Sequence, residues 1–103
     1  MKIKVKKLST FTEKTRGLMF SDTDTPVYLE TRFGIHTFFL NGPIDVVILD
    51  RDYIVRVIRK DLGPSRIFFW NPKYFRVIEF PYKARLPKNV EVGKKLSVEF
   101  GVK

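Results

Sequence analysis

Short segments in which apolar and polar residues alternate, separated by turn formers, constrain this chain more than any other feature of its sequence. In "KIKVKKL", residues 2–8, Ile3 and Val5 fall on one side of an extended chain and Lys2, Lys4 and Lys6 on the other, because successive side chains of a strand point to opposite faces. The same period recurs near the end, where Leu96, Val98 and Phe100 alternate with Ser97 and Glu99. Residues 27–32, 35–40, 44–49, 54–59 and 76–80 are further runs rich in the β-branched and aromatic side chains that suit a pleated surface. Between the runs lie residues 24–26, Asn41-Gly42-Pro43, residues 50–52, Leu62-Gly63-Pro64, Asn71-Pro72 and residues 87–89, all of them turn chemistry. This spacing predicts a mainly β fold, a small antiparallel β-sandwich or partly closed β-barrel of about seven strands. Thr10 with Glu13 forms a capping box and Gly17 can end the turn it starts, which predicts one short N-terminal helix over residues 11–16.

A chain of 103 residues has room for one core, so residues 1–103 are expected to form a single domain. The absence of cysteine removes disulfides, thiol nucleophiles and thiolate metal sites, and suits a reducing compartment. The apolar runs at 46–49 and 67–70 fall far short of the ~20 residues that cross a bilayer as a helix. "MKIKVKKLST" is basic but alternates where a signal peptide would continue into an apolar block. These features predict a soluble, cytoplasmic protein without membrane contact. A single alanine, no glutamine, and many Lys, Arg, Val, Ile and Phe residues give a thermophile-like composition that favours strands.

"TRGLMF" at 15–20, "GIHTFFLNGPIDVVILD" at 34–50, "VIEFP" at 77–81 and "VEVGKKL" at 90–96 resemble, in order and spacing, the family called domain of unknown function number 192. The resemblance runs from about residue 3 to residue 100. It implies a compact, mainly β domain, often standing alone and in many bacteria exported, with no established activity. Arg16, Gly17, Leu18, Met19, His36, Asp45, Glu79, Pro81 and Gly93 fall on family-pattern positions. Leu40 stands where a methionine is usual, Tyr53 where a hairpin glycine is common, Tyr82-Lys83 where small residues follow the proline, and Lys94 where an aspartate often follows the glycine.

Within residues 36–50, His36, Asn41 and Asp45 interrupt an otherwise apolar stretch. As a catalytic pair, His36 would be the base and Asp45 its orienting acid. If residues 35–40 and 44–49 form a simple hairpin, Leu40 lies opposite Ile44 and His36 and Asp45 face opposite sides, whereas a bulge next to the three-residue loop reverses this. Asp45 is instead expected to accept N–H bonds from the turn at 41–43 or to pair with Arg16, since an unpaired buried charge costs several kcal/mol. Serines 9, 21, 65 and 97 read as caps, turns or exposed strand positions, outside any nucleophile arrangement. One histidine and no cysteine point to no metal. "DRDYIV" lacks the third acid and the glycine of a calcium loop, and the scattered glycines form no phosphate loop, so no cofactor is expected. Arg16, His36, Asn41 and Asp45 are the candidate ligand-binding residues, near one end of the sheet.

Charge is uneven along the chain. The net charge is +9, and residues 56–88 hold nine bases against Asp61 and Glu79, leaving +7 there among seven aromatic rings. Cations interleaved with flat rings are what a groove for single-stranded nucleic acid requires. Its candidate contacts are Lys60, Arg66, Trp70, Lys73, Tyr74, Lys83 and Arg85, with Trp70 and Tyr74 expected to be exposed and Phe68, Phe69, Phe75 and Phe80 expected in the core. The sequence thus predicts a noncatalytic binding module for a small or anionic ligand or a protein partner. Its partners would be an anionic small molecule, nucleic acid or an acidic protein. The alternatives are a single-stranded nucleic-acid binder and a hydrolase using Asp45 or His36.

Overall fold

The computed structural model describes residues 2–8, 25–32, 34–36 and 42–101. Eight strands lie among them: β1 (Lys2–Lys7), β2 (Val27–Glu30), β3 (Ile35–His36), β4 (Ile44–Leu49), β5 (Val55–Leu62), β6 (Ile67–Phe68), β7 (Arg76–Phe80) and β8 (Ser97–Phe100). The fold is mainly β, as the alternating segments predict, and its radius of gyration of 12.2 Å is close to the ~13 Å of one compact domain of this length. The expected helix over 11–16 lies outside the described residues.

Six strands form one open sheet in the order β5-β4-β7-β2-β1-β8, and β3 pairs with β6 in a separate two-stranded sheet. The expected antiparallel arrangement is corrected, because β1 runs parallel to both β2 and β8. Parallel neighbours need a crossover of about a dozen residues or more, and the chain between Lys7 and Val27 is long enough to supply it. At one end the outer strands approach each other: Ile54 bridges to Lys95, Val55 donates its N–H to the Lys94 carbonyl at 2.9 Å, and Leu96 donates to Tyr53 at 2.9 Å.

β4 lies inside the sheet, between β5 and β7, and is buried along its whole length, because it divides two cores. Val47 and Leu49 pack with Ile3, Val5, Tyr28, Ile78, Phe80 and Leu86 on one face. Ile44, Val46 and Ile48 pack with Val27, Leu29, Ile35, Leu62 and Val77 on the other. Each such side chain contributes about 1.5–3 kcal/mol when fully buried, so a strand apolar on both faces settles inside a sheet and not at its edge.

The expected hairpin of residues 35–40 with 44–49 is also corrected. Both sides of β4 are occupied, by β5 and β7, and β3 has β6 as its partner. The hairpin that does form is β4–β5, closed by Asp50: its Oδ1 accepts the N–H groups of Asp52 at 2.8 Å and Ile54 at 3.1 Å. Tyr53 in that turn has φ of +65°, a left-handed conformation costly for a residue with a Cβ.

Candidate functional site

The β4–β5 ladder is interrupted where Ile44 pairs with Leu62 but Val46 pairs with Arg59, so that Asp45 faces both Lys60 and Asp61. This two-against-one arrangement is a β-bulge, and Asp61 adopts φ of +55° within it. Turning Asp61 in this way aims its N–H at the Asp45 carboxylate, where it donates to Oδ1 at 3.0 Å. The segment after β7 closes on the same carboxylate from the other side. Arg85 donates from Nη2 to Oδ1 at 2.7 Å and from Nε to Oδ2 at 3.0 Å, and the Leu86 N–H donates to Oδ2 at 2.9 Å. Arg85 also bonds the Asp61 carboxylate, tying the bulge to the same guanidinium.

Asp45 is only 3% exposed, yet each of its oxygens accepts two donors. Burial pushes its carboxyl up, but the Arg85 hydrogen bonds, then the Asp61 and Leu86 N–H groups, outweigh burial and hold it below the ordinary carboxylate value. The pairing raises Arg85 in turn, through Asp45 first and Asp61 second. A carboxylate held ionised with its lone pairs occupied is poorly suited to take a proton as a base. It is well suited to fix a bulge and a loop together.

The donors to Asp45 among the described residues differ from those expected, which were the turn at 41–43 and Arg16. Arg16 and Asn41 lie outside the described residues. His36 is half-buried on β3, opposite Ile67 of β6, whereas Asp45 is on β4 in the six-stranded sheet and bonds to the neighbour of core residue Leu86. Among the described residues no group of three or more His, Cys, Asp or Glu side chains could hold a metal ion, and no helix is long and apolar enough to cross a membrane.

The basic, aromatic half divides differently from expectation. Lys60, Arg66, Lys73 and Lys83 are exposed. Trp70 and Tyr74, expected to be exposed, are half-buried against the second core, and Trp70 Nε1 donates to the Tyr74 carbonyl at 2.8 Å. An indole buried on one side needs such an acceptor. Phe69, expected in the core, is 68% exposed. Alternation decides this, because Phe68 and Trp70 turn inward together and Phe69 between them must turn outward. Arg85, a candidate for phosphate contact, is engaged with Asp45 and Asp61.

A second polar network was not foreseen. Arg76 donates to the Tyr28 hydroxyl and to Glu30, and its guanidinium lies 4.1 Å from the Tyr53 ring centroid. Compared with protein-family profiles, with curated proteins and with solved structures, the chain has no match.

Proposed function

We propose that this chain is a noncatalytic binding module for an anionic ligand. The observation that carries the reading is the state of Asp45: the one carboxylate placed for chemistry in the sequence has each oxygen occupied by two structural donors. That favours architecture over the hydrolase alternative. The net charge of +9 and the exposed Lys60, Lys73 and Lys83 supply the attraction for an anion. The resemblance to domain of unknown function number 192 accords with a small β domain and brings no reaction with it.

Isothermal titration of the full chain with inorganic polyphosphate, and with neutral dextran as control, tests the reading. Saturable polyphosphate binding that weakens log-linearly with salt is expected; its absence would refute anion binding. Turnover of a simple ester or phosphate monoester that disappears in Asp45→Asn while melting stays unchanged would establish the hydrolase alternative instead. Single-stranded nucleic acid is the second reading, favoured by the exposed Phe69 among these bases.

A further inference from the structure

Strand β6 and the two residues after it form a short ribbon with apolar side chains on both its inner and its outer side. Phe68 and Trp70 turn inward onto the second core, with ring centroids 5.6 Å apart. Ile67 and Phe69 turn outward and are 57% and 68% exposed. Ile67 and Phe69 thus leave two large apolar side chains uncovered on one surface, which a partner can cover.

The Phe69 ring is held in position. Gly34 lies beneath it with φ of +93°, and a Cβ on Gly34 would come within 2.6 Å of Phe69 Cδ1. One side of the ring therefore rests on bare backbone, and the rest of the residue faces outward. Two cations are near this surface along the chain, Arg32 two residues from Gly34 and Lys73 four residues from Phe69. Arg32 donates to the Pro72 carbonyl at 2.8 Å, which brings the turn bearing exposed Lys73 alongside. Its guanidinium lies 4.7 Å from the Phe75 ring centroid.

The geometry points to this ribbon as the stacking site for a base of single-stranded nucleic acid, with Lys73 and the outer donors of Arg32 meeting its phosphates. The inference rests on the anion-binding reading and names the anion. A positioned, exposed ring near cations matches a strand, which carries a flat apolar face and a phosphate at each repeat. A second copy of the chain fits less well, because it would bring another +9 against the same surface. A duplex hides its base faces within its own stack.

Fluorescence anisotropy of the full chain with oligouridylate and oligothymidylate of about ten nucleotides, beside an abasic oligomer carrying the same number of phosphates, tests the assignment. Base-bearing strands are expected to bind more tightly than the abasic one. Phe69→Ala is expected to weaken them about 5- to 100-fold while leaving abasic binding unchanged. Phe69→Leu keeps an apolar side chain on Gly34 but lacks the flat face, and is expected to lose affinity likewise; Phe69→Tyr is expected to retain it. Equal binding of base-bearing and abasic strands, indifferent to Phe69→Ala, overturns the stacking site and leaves anion binding standing. Failure of every oligomer to bind overturns both. A dimer in sedimentation that Phe69→Ala converts to monomer overturns the inference by giving the ribbon to a second copy.

Discussion

Arg76 Nη1 donates to the hydroxyl of Tyr28 at 2.7 Å, and that hydroxyl donates in turn to Glu30 Oε2 at 2.7 Å. Tyr28 is fully buried. Burial and the bond to Glu30 push its hydroxyl well up from the ordinary tyrosine value, so it remains a donor. Tyr28→Phe keeps the ring in the core and removes the link. Arg76 and Glu30 retain their own 3.2 Å contact, so the expected cost is about 1–2 kcal/mol. Urea denaturation measures it, and an unchanged midpoint contradicts a stabilising role for the hydroxyl.

Gly34 and Gly93 share a φ of +93°, but a Cβ on Gly93 meets nothing within 4 Å, whereas one on Gly34 meets Phe69 and the Phe68 carbonyl. Gly93→Ala is expected to cost about 1–2 kcal/mol from backbone strain alone. Gly34→Ala is expected to cost more. The excess should shrink in a Phe69→Ala background without vanishing, because the Phe68 carbonyl at 2.7 Å remains. Equal costs for the two alanines in denaturant titrations would contradict the seating of the ring on Gly34.

Acid should expose the contribution of Asp45. Its folded carboxyl titrates below the ordinary value of 3.8, so the stability it contributes is fully present above that value and is lost as pH falls through the folded one. Asp50 is held low as well: burial pushes its carboxyl up, but the Ile54 N–H, Arg56 and the Asp52 N–H together outweigh burial. Melting temperatures of the native chain should therefore decline steeply once pH passes below 3.8. Asp45→Asn should show a shallower acid decline from a lower starting point. Parallel declines would mean that Asp45 titrates alike in the folded and unfolded chains.

Local features were legible where the physics is local. β4 and β7 occupy the predicted 44–49 and 76–80, and β1 buries Ile3 and Val5 while exposing its lysines, because a period of two assigns faces within one strand. Tyr53, in the turn after β4, has a positive φ that a glycine would relax. Pairing was less legible. Nothing local tells β4 to take β5 and β7 as neighbours in place of residues 35–40, and Arg85 reaches Asp45 across 40 positions of chain. Alternation also says that Phe69 and Trp70 face opposite ways without saying which faces inward. Trp70 turns inward because the Tyr74 carbonyl waits there for its N–H.

Thermal melting of Asp45→Asn at neutral pH decides whether Asp45 serves the architecture or a reaction. Asparagine keeps only one acceptor oxygen, so one arm of the Arg85 fork and one of the two N–H groups lose their acceptor. Arg85, 36% exposed, recovers part of its hydration, which discounts the loss to about 2–3 kcal/mol. For a domain of this size that lowers the melting temperature by about 10 °C or more. An unchanged melting temperature, with an enzymatic turnover abolished by the same substitution, would make Asp45 a catalytic residue instead.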